Sequence, residues 1–341
     1  MKGLICKNFN QTLIHTGGGG GNSSFQPLKR FTLFSCSLLT TLLTSASAAK
    51  EITGTQGAFA INGETVTIKN GATVNVGKPQ VNGGNSKYNA NSSSIGVGQS
   101  NQQSSITIEA GGKLNGRIYA RAATIDSITV NGSIGAHSNG SSIITFRQST
   151  IKKIEVGETG VIEGAIVNSW FNGQGVASGM STITNIEIKG QVKGGIKNQS
   201  GTMQTITITD FGSVGVIQND DTMNSLKIEN SGSVSGDIIN NKTMQSISVN
   251  NGTVNNNIQN SGTINGIDIA NSNIGGNIVN SGQNANTGNI SITGTSNVGG
   301  SIVNQNGANF TNNITLDQDS KLGGISNTQG STMSGQLDLK G

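Results

Sequence analysis

VSGDIINNKTMQSISV, residues 234–249, is the fullest copy of a unit that recurs along this chain. Its residues Val234, Gly236, Ile238 and Asn240 lie two positions apart, and Ile247 is followed two positions later by Val249. Because side chains alternate between the two faces of a strand, residues two apart share one face. The unit therefore predicts short strands with one apolar face, separated by polar turns.

An Ile followed two positions later by an Asn recurs eight times at nearly regular intervals. Successive Asn residues are separated by 30, 21, 21, 20, 20, 24 and 23 positions. A period of this length is typical of stacked repeats, and identical Asn residues on successive coils can form a hydrogen-bonded ladder. We therefore predict a structural Asn ladder and not a ligand site. Its members are Asn168, Asn198, Asn219, Asn240, Asn260, Asn280, Asn304 and Asn327.

The glycine inside the unit, as at Gly236, indicates a bend between two short strands. The Ile-x-Ile pattern, as at Ile247 to Val249, supplies a third strand, and no segment between repeats has helical periodicity. We predict an all-β fold, a parallel β-helix (solenoid) with coils of about 20–24 residues and an internal Asn ladder.

Composition limits both the core and the partners. Aromatic residues make up 4% of the chain and 51 of its 341 residues are Gly, which predicts a thin aliphatic core. The formal net charge of +4 is misleading, because four of the 21 basic residues lie in residues 1–48, which contain no acidic residue. The rest of the chain has 17 basic and 17 acidic residues, so we expect no nucleic-acid partner.

Residues 1–48 have the pattern of a long secretory leader. Lys29 and Arg30 precede an apolar run over 31–43, and small residues follow it. This is the order found in signal peptides, with cleavage expected after Ala48 or Ala49. The alternative, an N-terminal membrane anchor, is less favoured because the run is short for a spanning helix.

The remainder divides into N-terminal coils over 49–112 and β-solenoid repeats over 113–341. Two segments interrupt the period: a polar loop predicted over 78–104 and an extended turn over 169–182. The second contains Trp170 and Phe171, which we regard as a candidate binding loop because insertions in solenoids often map to binding faces. The alternative is that both rings cover an apolar seam of the solenoid.

The mature sequence offers little chemistry for catalysis. Both cysteines, Cys6 and Cys36, lie in the leader, which excludes a mature thiol nucleophile or a cysteine zinc site. The one histidine after the leader is His137, in a Gly- and Ser-rich turn, and acidic residues are sparse. We predict no catalytic residue, no metal site and no cofactor, and we expect that the protein is not an enzyme.

With its leader ending in Ser45-Ala-Ser-Ala48, its cysteine-free remainder and repeats such as IGGNIVNSGQNANTGNISITG (274–294), the chain resembles the passenger region of bacterial autotransporters. The likeness is to the Asn/Gly-rich passengers of Helicobacter and Campylobacter relatives. The resemblance implies export, passage through an outer-membrane translocator barrel, and display on the bacterial cell surface or release from it. It also implies adhesion to a host-cell surface protein or glycan, and a role in virulence.

Passengers of this family are followed by a C-terminal barrel of alternating strands, which is absent from this sequence. We therefore expect a fragment, a truncated product, or a passenger whose translocator is encoded separately. Two other functions stay open: a purely structural β-helical stalk and a carbohydrate-active β-helix enzyme.

Overall fold

The computed structural model describes residues 49–82, 87–169, 180–328 and 330–340. This part of the chain is all-β, and its coils stack roughly every 23 residues through parallel strands to form a β-solenoid. The predicted fold class is therefore confirmed, together with the hydrogen-bonded Asn ladder. The leader and the residues Trp170 and Phe171 lie outside the described residues.

A complete coil has three strands, which we call, in chain order, the short, middle and long strands. In the quoted unit these are Ser233–Val234, Ile238–Asn240 and Thr243–Asn250. Gly236 lies between the first two, as the pattern predicts. A Cβ added there would come within 2.6 Å of Val216 Cγ2 in the preceding coil, so this bend needs a residue without a side chain.

The long strands form a parallel sheet of 15 strands, in which each pairs with the long strands of neighbouring coils. In the last two coils the long strand is split into two pieces. The bounds are Lys50–Ile52, Thr65–Ile68, Ser104–Ile108, Thr124–Val130, Thr150–Val156, Thr182–Ile188, Thr202–Ile208, Thr222–Glu229, Thr243–Asn250, Thr263–Ala270, Asn286–Thr293, Asn309–Phe310, Ile314–Asp317, Thr332–Met333 and Leu337–Lys340.

Short strands pair with short strands and middle strands with middle strands. Near the C-terminal end the two kinds merge into single longer strands, which gives one sheet of 22 strands. The short strands are Thr55–Gln56, Thr73–Val74, Lys113–Leu114, Ser133–Ile134, Val161–Ile162, Gln191–Val192, Ser213–Val214, Ser233–Val234, Thr253–Val254 and Asn273–Ile274. The middle strands are Phe59–Ile61, Ser93–Val97, Arg117–Arg121, Ser141–Phe146, Ala165–Asn168, Ile196–Asn198, Ile217–Asn219, Ile238–Asn240, Ile258–Asn260 and Ile278–Ser281. The merged strands are Asn297–Gln305 and Lys321–Asn327.

The segment 78–104, for which the composition predicts a polar loop, contains part of the solenoid. Its strands Gln80–Asn82 and Lys87–Asn89 form an antiparallel hairpin. Its strand Ser93–Val97 pairs in parallel with the middle strands of the neighbouring coils. Ile95 and Val97 are fully buried in the core, and these two apolar side chains hold an otherwise polar segment in the stack.

The main core is a thin cluster that runs through the coils from Ile52 to Ile314. A second, smaller cluster contains Val81, Ala90, Tyr119, Ile144, Ala165 and Val167. Aligned aliphatic side chains stack coil on coil, as Leu226, Ile247 and Ile267 do in successive long strands. Burying a side chain of this size contributes about 1.5–3 kcal/mol relative to leaving it exposed. The core therefore draws its stability from repetition of the same few contacts.

Candidate functional site

The Asn ladder is fully engaged in holding the coils together. Asn240 is completely buried, and its Nδ2 lies 2.8 Å from Asn260 Oδ1 and 3.0 Å from the Thr263 carbonyl oxygen. Its own Oδ1 accepts a hydrogen bond of 2.8 Å from Asn219 Nδ2. Both ends of this amide are used between coils, and every rung from Asn168 to Asn304 donates to the next Asn in the same way.

A threonine closes the N-terminal end of the ladder. Thr145 lies in register with Asn168, and its hydroxyl is 2.6 Å from Asn168 Oδ1. That oxygen has no preceding Asn to donate to it. The sequence search for Ile-x-Asn missed this position because a hydroxyl supplies the donor in place of an amide.

The candidate loop residues Trp170 and Phe171 stay a prediction. The described chain on either side of them ends at Ser169, which is buried, and resumes at Met180, which is 67% exposed.

His137 lies in a turn, where its ring contacts neighbouring residues of the same turn. In the described structure its Nδ1 contacts Asn139 Oδ1 at 2.9 Å and Ser138 Oγ at 3.3 Å, and neither partner is acidic. Burial, followed by the nearby charge of Arg117, lowers the pKa of His137. Elsewhere in the described ranges, no group of three His, Cys, Asp or Glu residues is placed to hold a metal ion.

A different feature stands out on the surface: the series of turns that join each long strand to the next short strand, which we call the turn edge. These turns stack directly on one another. The Gly190 carbonyl accepts a 2.8 Å hydrogen bond from Ser213 N, and the Gly212 carbonyl accepts one of 2.8 Å from Ser233 N. The same link continues from coil to coil, so the turns form one continuous edge along the solenoid axis.

Turn length varies along this edge. Six positions separate Ile208 from Val214, whereas four separate Ile188 from Val192. The longer turn contains a complete four-residue turn, closed by a 2.8 Å hydrogen bond from Gly212 N to the Thr209 carbonyl. Since all these residues pack on the same core columns, a longer turn protrudes and a shorter one is recessed.

Three depressions lie where recessed turns are flanked by protruding ones. Their volumes are about 270, 530 and 460 Å³ in chain order. The floor of the first depression is turn 131–132, between turns 109–112 and 157–160. The floor of the second is turn 189–190, between turns 157–160 and 209–212. The floor of the third is formed by turns 251–252 and 271–272, between turns 229–232 and 294–296.

The second depression has the most varied chemistry. It is lined by Glu158, Lys189, Gly190, Gln191, Asp210 and Phe211. The Lys189 ammonium lies 3.2 Å from Asp210 and 3.6 Å from Glu187, and the hydrogen bond with Asp210 raises the pKa of Lys189. This cation is therefore neutralised by its neighbours, and the depression offers hydrogen-bonding groups without positive charge to spare.

Phe211 forms one wall of this depression and is unusual in two respects. Its side chain is 81% exposed, and its φ of 68° follows a φ of 51° at Asp210. The next turn has the same conformation, with φ values of 48° and 68° at Asn230 and Ser231. A bulky residue with positive φ is a genuine outlier, and such strain concentrates at functional sites. Packing does not explain an exposed ring there.

Sequence reasoning missed the turn edge because it followed the Asn column. The signal is nevertheless present in the sequence, as the spacing from the end of each Ile-x-Ile pattern to the next apolar residue. That spacing is six from Val156 to Ile162, four from Ile188 to Val192 and six from Ile208 to Val214. Counting it would have located the second depression.

No protein-family model, curated protein or solved structure gives a significant match to this chain. In the described residues, no helix has the length and apolar character needed to span a lipid bilayer.

Proposed function

We propose that this protein is an exported bacterial surface passenger that acts in adhesion to host surfaces and has no catalytic role. The observation that carries the proposal is Phe211, an exposed aromatic ring in a strained turn beside the second depression of a repetitive solenoid. Aromatic side chains are enriched in the parts of a surface that become buried on binding.

Export is supported by the leader pattern of residues 1–48 and by the absence of cysteine after it. A chain without cysteine cannot be locked by disulfides in an oxidising periplasm before it crosses a second membrane. The partner proposed for that step is an outer-membrane translocator barrel, which leaves the passenger on the cell surface or releases it.

The competing proposal is a structural stalk, and the satisfied Asn ladder favours it because a repeated, fully bonded column serves rigidity alone. The two functions make different predictions for one experiment. An adhesin binds host cells as a purified protein and loses that binding when surface aromatic residues are removed, whereas a stalk does not bind.

The test has two parts. Mass spectrometry of the exported protein should show cleavage after Ala48 or Ala49, and protease treatment of intact bacteria should remove the protein from the surface. Purified protein should then bind cultured host cells, with Trp170→Ala/Phe171→Ala and Phe211→Ser as separate variants. Retention inside the cell, or no saturable binding to host cells by folded protein, would overturn the proposal.

A further inference from the structure

We propose that the turn edge binds a linear, uncharged glycan, with the apolar face of one sugar ring packed on Phe211 and its hydroxyl groups bonded to Glu158, Gln191 and Asp210. This inference rests on the proposed adhesive function and specifies its ligand. It differs from the proposal for Trp170 and Phe171, which precede the strand Thr182–Ile188 in the sequence, because Phe211 follows the next long strand, Thr202–Ile208.

Phe211 is suited to be a platform and has no structural need to be aromatic. Among the residues whose side-chain exposure is described, six large apolar side chains are exposed, and Phe211 is the aromatic one of these six. Ser231 occupies the equivalent position in the next coil with the same φ of 68°, so the turn forms without a ring. An aromatic ring offers a flat apolar face of the kind that a sugar ring can cover.

Charge selects against anionic ligands. The second depression has the carboxylates of Glu158 and Asp210 against the single ammonium of Lys189, which is bonded to Asp210. The third is lined entirely by uncharged residues, namely Ser231, Asn251, Gly252, Thr253, Asn271, Ser272, Asn273, Thr295 and Asn297. Recognition of phosphate or sulfate groups relies on Arg, Lys or unpaired N–H groups, so sulfated glycans and nucleic acids fit poorly here.

Hydroxyl-rich ligands fit the remaining groups. Amide side chains both donate and accept hydrogen bonds, and ionised carboxylates accept them. An extended peptide is a weaker candidate, because peptides commonly add a strand to a free sheet edge. At the turn edge the backbone already bonds coil to coil, as Gln191 N does to the Gly160 carbonyl at 2.9 Å.

The spacing of the depressions favours a polymer over a single sugar. Turn 157–160 borders both the first and the second depression, and turns 209–212 and 229–232, which separate the second from the third, are adjacent. With coils about 4.8 Å apart, the floors of successive depressions lie roughly 10–15 Å from one another along the axis. One extended chain can therefore contact several depressions, and linked contacts strengthen binding.

The first test is an array of neutral, sialylated and sulfated oligosaccharides probed with purified protein, followed by titration of the best neutral ligand. We expect neutral chains to bind and binding to strengthen with chain length. Phe211→Ser should weaken binding at least about tenfold, whereas Phe211→Trp should retain it. Val76→Ala shortens another exposed apolar side chain, which follows the short strand Thr73–Val74 and lies away from the turn edge. It should change affinity by less than about twofold.

Circular dichroism of each variant confirms that it is folded. The inference is overturned if no neutral chain binds, if only sulfated or sialylated chains bind, or if Phe211→Ser binds like the unchanged protein. Host cells distinguish this failure from failure of the adhesive function. Binding that survives removal of cell-surface glycans but not protease treatment identifies a protein receptor, which refutes the glycan and retains adhesion.

Discussion

Replacing one rung of the ladder tests whether the Asn column holds the coils together. We choose Asn240→Ala, because Asn240 is fully buried and its neighbours on both sides are Asn residues. The matched control is Asn241→Ala in the same coil, where the exposed side chain donates to Asp220 Oδ1. Both variants remove the same atoms, and only the first removes them from the ladder.

The magnitude follows from the bonds lost. Asn240 Nδ2 lies within bonding distance of Asn260 Oδ1, the Thr263 carbonyl and the Lys242 carbonyl, at 2.8, 3.0 and 3.2 Å. Its two N–H groups can fully satisfy two of these, and its Oδ1 accepts one more bond, from Asn219. Three bonds at about 1 kcal/mol each give a loss of about 3 kcal/mol.

The control removes one bond to an exposed carboxylate and should cost no more than about 1 kcal/mol. The assay is urea unfolding followed by circular dichroism, together with hydrogen exchange. Solenoid coils interact mainly with their neighbours, so amides of Thr243–Asn250 and Thr263–Ala270 should lose protection first. Equal unfolding midpoints for Asn240→Ala and Asn241→Ala would show that the ladder does not stabilise the stack.

Three further predictions concern single sites. Phe211→Asn should raise the free energy of unfolding by about 1 kcal/mol, because Asn tolerates positive φ. If denaturation experiments show a lower free energy of unfolding, the backbone at Phe211 is not strained. Burial lowers the pKa of His137, so the unfolded chain binds the proton more readily and the melting temperature should fall as the pH drops through 6.5. His137→Gln should flatten this part of the curve of melting temperature against pH, and a curve unchanged by the substitution would contradict the prediction. Hydrogen bonds from Ser320 and then Gly294 lower the pKa of Asp317, so Asp317→Asn should reduce the hydrogen-exchange protection of the last coils at neutral pH. The substitution should have little effect once the pH is well below 3.8, and a difference between the two proteins that stays constant with pH would refute the prediction.

Most of the fold could be read from the sequence because one requirement is repeated many times. Each coil places aliphatic side chains inward, and from Asn168 onward each places an Asn in the column, so errors at single positions do not hide the period. The prediction weakened where other residues met the same requirement. Thr145 continues the ladder with a hydroxyl, and Ile95 and Val97 hold a polar segment in the core.

The long strands also begin earlier than the Ile-x-Ile pattern indicates. Thr222 and Met223 open their strand, in register with Thr202 and Met203 before them and Thr243 and Met244 after them. The Met residues are buried, but they stand three positions before the next inward residue, which breaks period two. A local irregularity in the strand thus concealed part of the core from a search for strict alternation.

The surface depressions could not be predicted from the core pattern, because turn length and core register are independent. Gly190 and Gly212 end turns of different length, yet each carbonyl accepts the same bond from the following coil. Adding or removing two residues therefore leaves the stacked sheets intact and changes only how far the turn protrudes. A solenoid can in this way change the shape of its turn edge while its stacked sheets stay in register. It follows that shortening turn 209–212 to two residues should remove Phe211 and open the second depression on one side while the coils stay folded. Unfolding of that variant would show that turn and core are coupled after all.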